Sequence, residues 1–148
     1  MSSLRHTHDH SHAAPEGADA RLTPWRRQVL DILKAEGRAM GAYDIIARIA
    51  AGDGRTVAPI QVYRALDHLL EHGLIHRLAS RNAYLACGHG HCAGESVAFL
   101  ICDRCGDVAE ATSHSLKDDL ARLAASEGFS ARAETIEITG RCARCGAG

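Results

Sequence analysis

Four cysteines are spaced for metal chemistry. Cys102-Asp103-Arg104-Cys105 and Cys142-Ala143-Arg144-Cys145 are CxxC pairs with 36 residues between them. Such a turn offers two thiolates to one tetrahedral ion, and a second pair completes a four-sulfur shell. Gly106 and Gly146 follow directly, where glycine lets the backbone turn tightly beneath the sulfurs. Four thiolates suit zinc, with an iron–sulfur centre as the minority reading. Two disulfides are the other alternative, but nothing in the sequence suggests export. A closed four-thiolate shell has no open position for water, so it fastens a fold and performs no reaction. The zinc-deaminase pattern is also missing: no proline precedes either pair and no HxE occurs. The chain therefore reads as a non-enzyme, with CxxC thiol exchange as the rival.

A second group of ligand types lies upstream. Cys87-Gly88-His89-Gly90-His91-Cys92 is a loop dense in sulfur and imidazole. Further upstream, His6, His8, His10 and His12 alternate through a segment without hydrophobic periodicity. Residues 1–20 read as a disordered, histidine-rich tail able to hold a transition metal loosely.

Elements must position these ligands, and the chain of 148 residues has room for two small domains. Neither can bury much apolar surface alone, so a metal staple and an oligomer interface are both natural supports. Hydrophobic content is 46%, with 4% aromatic, and no apolar run reaches the roughly 18–20 residues of a membrane span. No signal peptide is evident, so a cytoplasmic location is expected. Net charge is −1, which alone argues against a nucleic-acid partner, but its distribution reverses that argument. Residues 21–85 carry ten Lys/Arg against six Asp/Glu, and residues 86–148 carry six against nine. Only the first half is built to face phosphate.

Within that basic half, Thr23-Pro24 is a helix start and Gly37 its stop. A second helical pattern runs over 42–51, and a third over 57–70 ends at Gly73. On the third, Val62, Leu66, Leu69 and Leu70 form the inward stripe. Gln61, Arg64 and His68 share another face. Arg and Gln make bidentate contacts to guanine and adenine in a major groove. Strands over 74–79 and 83–86 make a wing, with Arg81 at its tip aimed at a phosphate. The expectation is a winged helix-turn-helix over 21–86. Residues 87–96 are then a hinge and metal-sensing loop, and 97–148 a small α/β dimerisation domain with the four-cysteine zinc. In that last unit, strands over 97–101, 107–111 and 135–139 flank a helix over 115–127. The fold class is α+β.

Thr56…Val62-Tyr63-Arg64-Ala65-Leu66, then Gly73-Leu74-Ile75, then Phe99-Leu100-Ile101-Cys102-Asp103-Arg104-Cys105-Gly106 and the final CxxC resemble the ferric-uptake-regulator family. The resemblance covers roughly residues 20–146 and is nearest to the zinc-sensing branch. It implies a homodimeric, zinc-responsive repressor that binds operator DNA to control zinc uptake. Each chain would hold one structural zinc and at least one regulatory zinc. The structural site carries over to Cys102, Cys105, Cys142 and Cys145. The sensing site carries over to His76, Cys87 and Glu110. The family's remaining histidine aligns with Glu95, so the sequence departs from the pattern there, and His89 or His91 is the expected substitute. Cys92 is a spare thiol, a ligand or an oxidation-sensitive group. Tyr43 and Arg64 match positions the family uses on DNA, and Tyr63 and Gln61 join them on the third helix. Other members sense iron, manganese or peroxide with histidine and carboxylate ligands. The Cys87 thiolate points to zinc. His68, His72 and His114 read as surface histidines.

Overall fold

The computed structural model describes residues 21–88, 96–132 and 134–146. The histidine tail, His89, His91, Cys92 and Glu95 lie outside the described residues. Three helices come first: α1 (Pro24–Glu36), α2 (Ala42–Asp53) and α3 (Pro59–Glu71). A hairpin follows, β1 (Ile75–Leu78) and β2 (Ala83–Ala86), joined by a 3-10 turn over Ala79–Arg81. The second unit is β3 (Val97–Cys102), β4 (Val108–Thr112), α4 (His114–Ser126), β5 (Ile136–Gly140) and the short α5 (Ala143–Gly146). Among the described residues, no helix is long and apolar enough to cross a membrane.

Local chemistry sets the helix limits. The Thr23 hydroxyl accepts from the Arg26 N–H at 3.4 Å, and Pro24 occupies the first turn, where a missing N–H costs nothing. Gly37 ends α1 at φ 63, a left-handed cap that other residues adopt only with strain. Asp44 accepts from the Gly41 N–H at the start of α2. α3 starts at Pro59 and ends at Glu71, shorter than the 57–70 pattern running to Gly73 had suggested. His72 and Gly73 already form its exit turn, Gly73 at φ 65.

The first core is made by the helical stripes. Val29, Leu30 and Leu33 of α1, Ile45 and Ile49 of α2, and Val62, Leu66 and Leu69 of α3 are all buried together. Truncating one of these to alanine costs about 2–5 kcal/mol. Ile75 and Tyr84 bring the hairpin onto the same core. The hairpin register, Ile75↔Ala86 through Leu78↔Ala83, is extended by Met40, which exchanges two 2.8 Å backbone hydrogen bonds with Tyr84.

Alternation along the strands gives the hairpin a second apolar face. Leu78 and Leu85 point away from the helices and bury against Phe99 and Ile101 of β3. The wing thus joins the two units through an apolar seam. In the second unit, β3 is central, antiparallel to β4 and parallel to β5. Its other face carries Leu100 and its register partner Ile138, 43% and 53% exposed. No residue of α4 is buried, and Leu123 and Phe129 are 62% and 67% exposed.

Candidate metal centres and nucleic-acid interface

The two CxxC turns meet at the end of the second sheet. β3 delivers Cys102 as its last residue, and Cys105 follows in the turn. β5 runs parallel beside β3, so its exit places Cys142 at the same end. The turns are tied by Asp103 N–H to Gly140 O at 2.8 Å and by the Arg144–Asp107 ion pair at 2.6 Å. Gly106 takes φ 77 and donates to Cys102 O, as the tight turn under the sulfurs requires. All four sulfurs lie within 4.8 Å of one another. Cys105 and Cys142 sulfurs are 3.8 Å apart. Zn–S bonds of about 2.3 Å set a tetrahedral edge of ~3.8 Å, so the donor set fits zinc. Its electrostatics ask for a cation. Backbone N–H groups, chiefly that of Cys142, pull the Cys102 thiol down to about 6. Hydrogen bonding with Cys142 pushes the Cys145 thiol up to about 12. Four thiols this close cannot all ionise until a metal shares their charge.

A second cluster lies at the seam between the units. Ile75 faces the helical core, so period-two alternation turns His76 to the other side, and its ring packs 4.9 Å from that of Phe99. Glu110 of β4 is the register partner of Phe99 and shares that face. Cys87 follows β2 directly, its N–H donating to Leu74 O at 3.0 Å. The donor atoms of His76, Cys87 and Glu110 lie within 4.8 Å of one another. Gly88 N–H donates to the Glu110 carboxylate at 3.3 Å. The four CxxC cysteines are free thiols. A disulfide sulfur is no ligand for zinc, so the seam cluster binds metal only when Cys87 is reduced.

The basic face is built on α1 and α3. Trp25 Nε1 donates to Gln61 O at 3.2 Å and fixes the start of α1 against the first turn of α3. An open cleft of about 600 Å³ forms there, with Arg26, Arg55 and Arg64 in its walls and Gln61 beside them. Gln61 and Arg64 are exposed, Tyr63 is half-buried, and Tyr43 projects from the start of α2 with 70% of its surface exposed. Arg26 Nη1 also sits 3.4 Å from His68 Nε2. Burial, then Arg26 and His72, hold the His68 imidazole below its ordinary value.

Arg81 is placed differently from the wing-tip phosphate contact expected of it. The 3-10 turn faces the second unit, and Arg81 donates to Cys102 O at 3.0 Å. Beside it, the Glu137 carboxylate accepts from Ala79 N–H at 2.6 Å and Ser80 N–H at 3.1 Å. Hydrogen bonding from Ser80, its side chain first, and from Ala79 holds the Glu137 carboxyl below the usual glutamate range. The first N–H groups of a helical turn lack partners within it, and an anion satisfies them. No sequence signal marked Glu137, because its partners lie 57 and 58 residues away.

Known proteins share this fold. The chain is 39% identical over 127 residues to the zinc uptake regulation protein of Escherichia coli K12, covering 86% of this chain and 74% of that protein. A solved zinc uptake regulator complexed with zinc and DNA superposes with a TM-score of 0.78 at 39% identity, covering 84% of this chain and 82% of the other. Holo XcZur superposes equally well, with a TM-score of 0.78 at 40% identity over 86% of this chain and 88% of its own. The profile of the ferric uptake regulator family matches residues 17–139, and the chain belongs to that family.

Proposed function

We propose that this chain is a zinc-responsive, DNA-binding repressor that works as a homodimer. The observation that carries the reading is the seam cluster. His76 and Cys87 belong to the wing, and Glu110 belongs to the second unit. A metal drawing the three together holds the angle between the units. In a dimer, that angle sets the spacing of two α3 helices on successive major grooves. The relatives at 39–40% identity are named as zinc uptake regulators, and one was solved with zinc and DNA. The exposed apolar groups of the second unit, Leu100, Ile138, Leu123 and Phe129, suit a partner subunit.

On this reading the units divide the work. The four-cysteine zinc holds the second unit together and takes no part in switching. Arg64 and Gln61 read base edges, with Tyr43 and Tyr63 beside them, while Arg26 and Arg55 are placed to meet phosphate. The seam zinc biases the hinge toward the form that fits the operator. It shifts that equilibrium only by its differential affinity for the closed form, and DNA must tighten zinc by the same factor. A thiolate among the ligands favours zinc over iron or manganese. His89 or His91 is proposed as the remaining ligand. The relatives are regulators rather than catalysts, and we assign no enzymatic activity. The working location proposed is the cytoplasm.

The test is operator binding against free zinc under reducing conditions, with metal counted per chain and iron and manganese supplied in parallel. Affinity should rise as the second equivalent of zinc per chain is taken up. Tightening by iron or manganese and not by zinc would overturn the choice of metal.

A further inference from the structure

The last turn of α3 carries ligand chemistry that the reading above does not use. His68-Leu69-Leu70-Glu71-His72 places two imidazoles four residues apart and a carboxylate between them in register. Positions i, i+3 and i+4 share one helix face. The intervening Leu69 is fully buried and Leu70 packs on the core, so that face is held away from the core. The donor atoms of His68, Glu71 and His72 lie within 4.8 Å of one another. The two rings are 4.0 Å apart at a 33° tilt.

The hydrogen bonds orient both rings. His72 Nδ1 lies 2.8 Å from the His68 carbonyl, which can only accept, so Nδ1 donates and leaves the Nε2 lone pair free to bind. A ring N–H given to a backbone carbonyl is the usual means of orienting a metal-binding histidine. His68 Nε2 sits 3.4 Å from Arg26 Nη1, and a guanidinium only donates, so this nitrogen also presents a lone pair. A cationic group thus already stands at His68 Nε2. The same H-x-x-E-H spacing serves a zinc chelate in one class of peptidases, and here it provides three donors on one rigid element.

We infer that His68, Glu71 and His72 form a further metal site, on α3, that takes a divalent first-row transition ion through two imidazole Nε2 atoms and one carboxylate. The ion displaces the Arg26 guanidinium from His68. Its charge lies at the C-terminal end of α3, where the helix dipole favours a cation. Two nitrogens and one oxygen from one helix bind more weakly than four thiolates, and water completes the shell. The site stands independently of the zinc-regulator reading, since no ligand is shared with the four-cysteine or seam clusters.

Cobalt(II) is the probe. Thiolate-bound cobalt absorbs strongly in the near ultraviolet, and cobalt held by imidazole and carboxylate does not. The full-length reduced chain and its His68→Gln/His72→Gln double variant are dialysed against graded cobalt. The variant should bind one ion per chain fewer, with an unchanged thiolate band and unchanged helical circular dichroism. Equal cobalt counts in the two proteins would overturn the site. A second measurement uses the parent alone, so that a misfolded variant cannot decide the matter. The His68 and His72 ring proton signals should shift or broaden in NMR as cobalt rises beyond the amount that saturates the thiolate band. Rings that stay unperturbed at that point would overturn it equally.

Discussion

The two sulfur-containing clusters differ in which elements supply their ligands. The four-cysteine set is drawn from two turns of one unit, locked together by Asp103–Gly140 and Arg144–Asp107. None of its ligands comes from the wing. The seam set draws on β1, on the residue after β2, and on β4, so its donors converge only when the wing sits against the second sheet. On the proposed reading, a metal in the first place would therefore hold a domain, and the same metal in the second would hold an angle. Ligand identity alone does not separate staple from switch, because both clusters contain cysteine. The membership of the ligands in one rigid body or two separates them.

The comparison breaks most visibly at the staple. Cys102→Ser should lose the tightly held zinc and unfold the second unit. Structural zinc contributes about 10–16 kcal/mol in zinc-finger peptides, as much as a whole domain's margin of about 5–15 kcal/mol. Metal content and circular dichroism check this, and a folded Cys102→Ser dimer that still binds DNA would remove the structural role. At the switch, His76→Ala or Cys87→Ala should keep the fold and the four-cysteine zinc. Each should lose the zinc-dependent gain in operator affinity, about 5–150-fold for a coupling of this kind. Oxidising Cys87 should mimic its replacement, and reductant should restore the response. Operator titrations with and without reductant read both outcomes.

Smaller effects sharpen the picture. Arg64→Ala should weaken operator binding by about 1–3 kcal/mol and relax preference at one base position. Indifference across a panel of operator variants would show that α3 does not read bases through Arg64. Glu137→Ala should loosen the docking of the wing by about 1 kcal/mol, the scale of a hydrogen bond at a partly solvated site. Its pH dependence follows from the lowered carboxyl. The contribution is fully present above the ordinary glutamate value and is lost as pH falls through the lowered one. Parent and Glu137→Ala should therefore converge in acid. Hydrogen exchange at the Ala79 and Ser80 amides, followed against pH, measures it.

The local elements were legible in the chain. Thr23-Pro24 and Gly37 bounded a helix, the apolar stripes named the buried faces, and the CxxC spacing named the four-sulfur shell. Strand limits moved by only a residue, as at β4 and β5. Two short features escaped, α5 within the last CxxC and the Met40–Tyr84 pairing. The first is a single turn, too short for a periodic pattern, and the second is one backbone exchange indifferent to side chain. His68 and His72 read as surface histidines because each imidazole alone is ordinary. Their mutual orientation depends on a hydrogen bond from His72 to a backbone carbonyl and on one from Arg26 of another helix to His68.

Residue type and spacing by themselves determined which side chains carry metal-ligand chemistry and which faces are buried, because caps, periodicity and donor chemistry act over a few residues. Tertiary structure alone decided which way the wing faces. Leu78 and Leu85 bury against Phe99 and Ile101, and that apolar seam carries the 3-10 turn onto Glu137 and Cys102. Arg81, a basic residue at a hairpin tip, was read as a phosphate ligand on local grounds. Its guanidinium donates instead to a carbonyl 21 residues away, because the packing of two apolar faces, rather than any property of Arg81, set what lies within its reach.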